Sequence, residues 1–360
     1  MAIVPLMVAS LSNPLPRFPR KKIVAFLIAL SICPALRVAA QNTPLISGGV
    51  AFLTNTNGGS SSYQPIIEPL LAAPLGSRVL IESRAALLES FSPKGGGQSG
   101  YDHSRFIALT YAQGDFLLSP HATLVAGSFL LPFNTYNERL SPVWISNFPG
   151  APSDTVLGLL STGTGVGAQL RGSAVSTSDY SIDYAAWFSA RSSNEQFNAE
   201  RSLGGRVSLY LPQSRLEGGL SYDRSLQDTQ ENFYGAHLWW ATQGNAFRLR
   251  SEFARSHHVQ GYWVEADLRT QMWGGADSWR GRFEPLFRLN QTFRRDAIVS
   301  DGLPLVNTQR ADFGLDYNLP HNTRILTSYS RQFSASGNEN VWETGIVYRL
   351  LFPAWKGKSQ

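Results

Sequence analysis

Eight arginines stand at positions that could do chemistry together. Arg171, Arg206, Arg248, Arg250, Arg269, Arg288, Arg294 and Arg310 all fall in the polar register of segments whose every second residue is apolar. Asp183, Glu217, Glu252, Glu265, Asp267, Asp312 and Asp316 occupy the same kind of position. A guanidinium and a carboxylate can lock into short, charge-assisted hydrogen bonds. Alternatively, rows of opposite sign facing one another across a water-filled space set a transverse field that orients dipolar solutes and tunes ion choice. The types and spacing leave both readings open. They assign no catalytic residue and no cofactor.

Other constellations are weaker. His257-His258 follows a strand-like segment, but no third ligand stands at suggestive spacing, so it reads as an exposed loop and no metal is assigned. "GTGVG" (Gly163 to Gly167) lacks the lysine and helix of a phosphate loop. There is no G-x-S-x-G nucleophile elbow. An enzyme of the lipase or protease type would need its side chains assembled at the rim of the fold.

The elements that position these charges alternate with a period of two. Phe247, Leu249 and Phe253 oppose Arg248, Arg250 and Glu252. Tyr262, Val264, Ala266 and Leu268 oppose Trp263, Glu265 and Asp267. Trp342, Thr344, Ile346, Tyr348, Leu350 and Phe352 oppose Glu343 and Arg349. Such alternation specifies strands with two unlike faces. "LPQS" (Leu211 to Ser214), "TQGN" (Thr242 to Asn245) and "LPHN" (Leu319 to Asn322) close hairpins. Longer connections are expected at 92–104, 192–200 and 272–281. Short turns at one end and long loops at the other is the expected layout.

The chain of 360 residues has 31 basic and 26 acidic side chains. Residues 1–40 contain Arg17, Arg20, Lys21, Lys22 and Arg37 and no acid, which leaves 26 against 26. A basic start, the apolar run Ile23 to Leu36 and small residues before Gln41 describe a secretory signal, removed near Ala40. A neutral exported remainder excludes a nucleic-acid partner. The sole cysteine, Cys33, lies in that signal, so the mature chain forms no disulfide.

Several segments approach the roughly 9–11 residues that a tilted strand needs to cross a bilayer. Their aromatics cluster near segment ends, as interfacial girdles require. The fold class expected is all-β, a transmembrane antiparallel β-barrel. About fifteen segments are visible, and an even number favours sixteen strands, with fourteen as second choice. The expected organisation is a signal at 1–40, a lead-in with a first strand at 41–77, the barrel at 78–352 and a tail at 353–360. The Pro-rich stretch Ser61 to Gly76 reads as loop or lead-in. A soluble secreted β-sandwich or lectin is the alternative architecture.

Between Phe133 and Gly165 the alternation stops. Glu138, Arg139 and Asp154 lie in this segment, which either folds into the lumen as a constriction or caps the barrel from outside. The stretch that leads into it and opens it, with Gly127, Pro132, Phe133, Glu138 and Arg139, resembles the "GxxxxPFG…ER" region of the phosphate-selective porin O and P family. "GTGVGAQLRGSA" (Gly163 to Ala174) is similar to that family's return strand. Where the family has glycine after Pro-Phe, this chain has Asn134, which also adopts left-handed geometry. The resemblance implies an outer-membrane porin. The chain departs from that family's lysine- and arginine-lined channel: after residue 40 its only lysines are Lys94, Lys356 and Lys358.

The resulting expectation is a passive channel for small hydrophilic solutes or ions, with a mild anion preference if the arginines of 248–250 and 288–295 line the narrowest point. Its partners would be the lipid bilayer, those solutes, the outer-membrane assembly machinery reading the aromatic end at Phe352, and a homotrimer.

Overall fold

The computed structural model describes residues 44–95, 99–152, 163–193, 199–227, 230–275, 278–296, 305–335 and 337–353. The signal at 1–40, Asp154 and the tail beyond Pro353 lie outside these residues. Sixteen strands form the fold. They are β1 (Leu45–Asn57), β2 (Ser60–Leu75), β3 (Val79–Pro93), β4 (Tyr101–Ser119), β5 (Ala122–Leu130), β6 (Thr164–Ser176), β7 (Ser181–Ala190) and β8 (Ser202–Leu211). The second half comprises β9 (Leu216–Ser225), β10 (Asn232–Ala241), β11 (Phe247–Arg255), β12 (Val259–Leu268), β13 (Phe283–Arg294), β14 (Thr308–Leu319), β15 (Thr323–Ser334) and β16 (Gly337–Pro353). Each pairs antiparallel with its sequence neighbour, and β1 pairs with β16, so the sheet closes. Closure removes every unpaired edge, the one way a sheet can satisfy its backbone in lipid. It also excludes the two-sheet sandwich.

The alternation maps onto inside and outside as the sequence indicates. Glu343, Gly345 and Val347 are buried within the barrel, while Trp342, Ile346 and Tyr348 face out. Leu220 is 70% exposed on the outer face. A continuous belt of such residues far exceeds the few hundred Å² of apolar patch a soluble monomer tolerates. Aromatic contacts ring both ends of this surface. Phe52–Tyr63, Tyr222–Tyr234 and Tyr329–Trp342 lie toward one end, and Trp240–Phe247 and Phe283–Tyr317 toward the other.

Two expectations need correction. The barrel wall begins at Leu45, and residues 60–75 form a full strand, not a lead-in. Two of its three prolines, Pro65 and Pro69, are accommodated on one side. The β1–β2 register runs unbroken through Pro65 and Pro69, whereas the β2–β3 register skips both. Proline lacks only the N–H, so it fits where a ladder bond can be spared.

The loop layout is also less regular than expected. The hairpins 212–215, 242–246 and 320–322 share the end where β1 starts and β16 stops, here the terminal end. The long connection 269–282 lies there too, with two single-turn 3-10 helices, Thr270–Trp273 and Arg280–Arg282. Five strands separate it from the connection at 191–201, and an odd number puts the two at opposite ends. The opposite, loop end carries 94–100, 131–163, 191–201 and 295–307, but also the short turns 58–59 and 256–258.

Candidate functional site

The break in alternation after β5 is a chain that turns into the lumen. Pro132 ends the strand, and Asn134 takes the left-handed conformation at φ 52°. One short helix follows, α1 (Tyr136–Arg139). The described part, 131–152, therefore folds inward and does not cap the barrel.

Polar groups of the wall hold this loop from several sides. At its start, the buried Glu252 carboxylate accepts from Thr135 N (2.7 Å), Thr135 Oγ1 (2.7 Å) and Tyr136 N (2.8 Å). Arg206 donates to Pro132 O (3.2 Å), to Asn134 O and to Glu138 (2.8 Å). In the middle, Glu68 accepts from Val143 N at 2.9 Å, Arg84 donates to Ser141 Oγ at 3.2 Å, and Arg324 donates to Ser146 O at 2.7 Å. Farther along, Asn147 reaches Glu265 (3.2 Å), and Arg288 donates to Gly150 O (3.1 Å) and Ala151 O (3.2 Å). Most of these bonds serve the loop's backbone: Glu252 and Glu68 take its N–H groups, and Arg206, Arg288 and Arg324 take its carbonyls. An irregular segment inside a barrel needs this, because its backbone has no ladder to join.

Apolar packing completes the attachment. Phe133, Tyr136 and Leu140 join Trp187, Phe233 and Trp263 in one buried cluster, and Val143 and Trp144 join Ala51, Leu53 and Leu326 in another. Tyr136 meets Trp263 edge-on at 6.1 Å, and burial pushes its phenol above the ordinary tyrosine pKa. Three wall glycines leave notches for the loop. A Cβ on Gly49 would lie 2.9 Å from Trp144, on Gly235 2.4 Å from Asn134, and on Gly314 2.8 Å from Phe148.

The expected arginines are inward, but their partners are beside them and not across the lumen. Cross-strand register pairs Arg250 with Glu265, Glu265 with Arg288 and Arg288 with Asp312, giving one charge ladder over β11 to β14. Arg250–Glu265 is 2.6 Å, Arg288–Asp312 is 2.8 Å and Arg310–Asp312 is 2.5 Å. Nearer the terminal end, Arg248 holds Asp267 and Glu284, each at 2.6 Å, and Arg269 lies 3.8 Å from Glu284. On the other wall, Arg171 pairs with Asp115 (2.6 Å) and Glu138 (3.7 Å), and Arg139 pairs with Glu217 (2.7 Å). Arg294 is inward at the loop end of β13. The opposed rows considered from sequence are replaced by lateral pairs. Same-face neighbours on adjacent strands have Cβ atoms only about 5 Å apart, so opposite charges there meet first. Arg206, Arg288 and Glu252 also anchor the loop.

Four participants were missed: Glu68, Arg84, Asn147 and Arg324. Glu68 lay in a stretch read as lead-in. Arg324 is in the inward register of β15, and that alternation was the available signal.

A serine, a histidine and a carboxylate do meet in the wall. Ser208 Oγ and Glu217 both approach His237 Nε2, at 3.5 Å and 3.4 Å. A catalytic relay needs the carboxylate on one ring nitrogen and the nucleophile on the other. Here both compete for one nitrogen, so the set is a structural contact.

The fold and lumen define the class: a closed sixteen-stranded antiparallel barrel with an inward loop and a charged interior. Among solved structures, the chain resembles an anion-selective porin from Comamonas acidovorans, at 12% identity and TM-score 0.51, over 86% of this chain and 99% of that one. It also resembles a loop-deletion mutant of OmpT, an outer membrane protein of Vibrio cholerae, at 7% identity and TM-score 0.54, over 86% and 100%. No protein-family model and no curated protein matches the sequence. The fold is thus the one that outer-membrane porins adopt.

Proposed function

We propose that the protein is an outer-membrane channel that passes small hydrophilic solutes and ions by diffusion, with a mild preference for anions. The observation that carries the anion preference is the layering of charge around the lumen. Arg139 is 38% exposed against 13% for its partner Glu217, Arg171 36% against 10% for Asp115, and Arg248 22% against 0% for Asp267. At these three pairs the carboxylate lies deeper and the guanidinium meets water, whereas Arg250, Arg288 and Glu265 are all buried together. A permeating anion therefore encounters donors first, although each arginine is formally paired. No bond is made or broken, and the wall contributes only its shape, its donors and its field. Lipid outside, solutes inside, assembly machinery reading the end of β16 and association of three copies belong to this reading. So does kinship with the phosphate-selective porins, for which the arginine layer supplies donors in place of lysine.

Reversal potential in a potassium chloride gradient across a planar bilayer tests the preference. A potential of the sign set by chloride is expected, and one set by potassium overturns it.

A further inference from the structure

Four strands repeat one pattern at the loop end. β9 ends in Ser221-Tyr222-Asp223-Arg224 and β11 in Glu252-Phe253-Ala254-Arg255. β13 runs into Thr292-Phe293-Arg294-Arg295, and β15 carries Ser328-Tyr329-Ser330-Arg331. Ser221, Asp223, Glu252, Ala254, Thr292, Ser328 and Ser330 are buried inside the barrel. The aromatic residue of each pattern and the arginine two residues on thus fall in the outward register, Arg295 standing just past the end of β13. Arg224, Arg255 and Arg295 are exposed and Arg331 is half-buried. All four strands run toward the loop end, so each arginine lies one step beyond its aromatic neighbour.

These arginines differ from those inside. Inside, Arg171, Arg206, Arg248, Arg250, Arg288 and Arg310 each have a carboxylate within 4 Å. Among the described residues, none of the four outer ones has a carboxylate partner. Arg331 donates to the neutral Asn340 Oδ1 at 2.6 Å and lies over the Phe333 ring. A row of cations on or just past strand ends, without counter-charges among the described residues, calls for anions from another molecule. Their depth says which. Two residues along a strand span about 7 Å, and a tilt of about 45° leaves ~5 Å along the membrane normal. The aromatics rest at the hydrocarbon boundary, and the polar layer above it is about 5–7 Å thick. The guanidiniums therefore lie among headgroup phosphates.

We infer that Arg224, Arg255, Arg295 and Arg331 form a docking row for the phosphate groups of anionic lipid in the leaflet at the loop end. Guanidinium suits this, because its planar fork takes two phosphate oxygens at once. The inference rests on the outer face meeting lipid and not on the lumen conducting. The test is native mass spectrometry of the folded barrel in detergent, titrated with phosphatidylglycerol or phosphatidylcholine. The Arg224→Gln, Arg255→Gln, Arg331→Gln triple variant is compared with the parent, and heat-modifiable gel migration confirms that both are folded. The parent should favour phosphatidylglycerol, and each substitution should weaken that binding roughly fivefold, since a basic residue at an anionic surface is worth about 1 kcal/mol. Equal binding of the two lipids by the parent, or undiminished preference in the triple variant, would overturn the inference. Displacement of the lipid by inorganic phosphate would overturn the lipid assignment in favour of a free anion. Single-channel conductance of the variant should be unchanged, because none of the three side chains faces the lumen. A channel-dead parent would count against the proposed function and leave the lipid result standing.

Discussion

Replacing Glu252 by alanine isolates the latch at the start of the inward loop. The carboxylate accepts three hydrogen bonds of 2.7, 2.7 and 2.8 Å from Thr135 and Tyr136 and has no access to bulk solvent. A hydrogen bond to a charged group contributes about 1.5–3 kcal/mol, so three set a range of roughly 4.5–9 kcal/mol. Water entering the vacated space would re-solvate the donors and bring the loss to the low end. About 4 kcal/mol is roughly a thousandfold in the equilibrium between a docked and a released loop start. The sheet need not change, because its ladder bonds use the backbone of β11 and not this side chain. Single-channel recordings of the parent, Glu252→Gln and Glu252→Ala are the assay. Glutamine keeps one acceptor oxygen and should fall between the other two. The alanine variant should show frequent current substates and noise, with heat-modifiable gel migration intact. Quiet, identical traces from all three proteins would refute the claim that this carboxylate holds the loop.

Three further outcomes follow from the same geometry. Arg171→Glu reverses a solvent-facing lumenal charge beside Asp115 and should move the reversal potential toward potassium. An unmoved potential would place the permeation path elsewhere. Gly314→Leu fills the notch beneath Phe148, where a Cβ would already lie 2.8 Å from the ring, and overpacking of this kind costs about 1–3 kcal/mol. Limited proteolysis of the folded barrel should then cut within 140–152, and resistance equal to the parent would contradict the packing. Deleting 353–360 should leave assembly intact if the aromatic end at Phe352 is what the insertion machinery reads, and loss of the folded band on a gel would show otherwise.

Much of the barrel was legible because its two faces meet such different surroundings. The alternation around Arg248, Arg250 and Glu252 assigned inside and outside correctly, and the even-number rule turned about fifteen visible segments into sixteen strands. The strand at 60–75 was hidden by Pro65 and Pro69. Their lost N–H groups matter only toward β3, and a sequence does not show which neighbour a proline faces. The lumen was legible in direction but not in depth. Inward register says that Arg206 and Glu252 point into the barrel, but not that a loop 68 to 117 residues earlier in the chain will meet them there. The same limit applies to Arg288, whose neighbours Glu265 and Asp312 come from strands on either side. Lateral pairing followed from register, which alternation alone leaves free to slide. Asn134 is the opposite case, since its identity announced the left-handed turn that starts the loop.

A diffusion channel requires a water-filled path through the barrel beside the anchored loop. Conductance of the purified, heat-modifiable protein in a planar bilayer tests this most directly. Stepwise insertion of discrete, ohmic channels is the predicted result. A correctly folded protein that inserts and passes no current would contradict it.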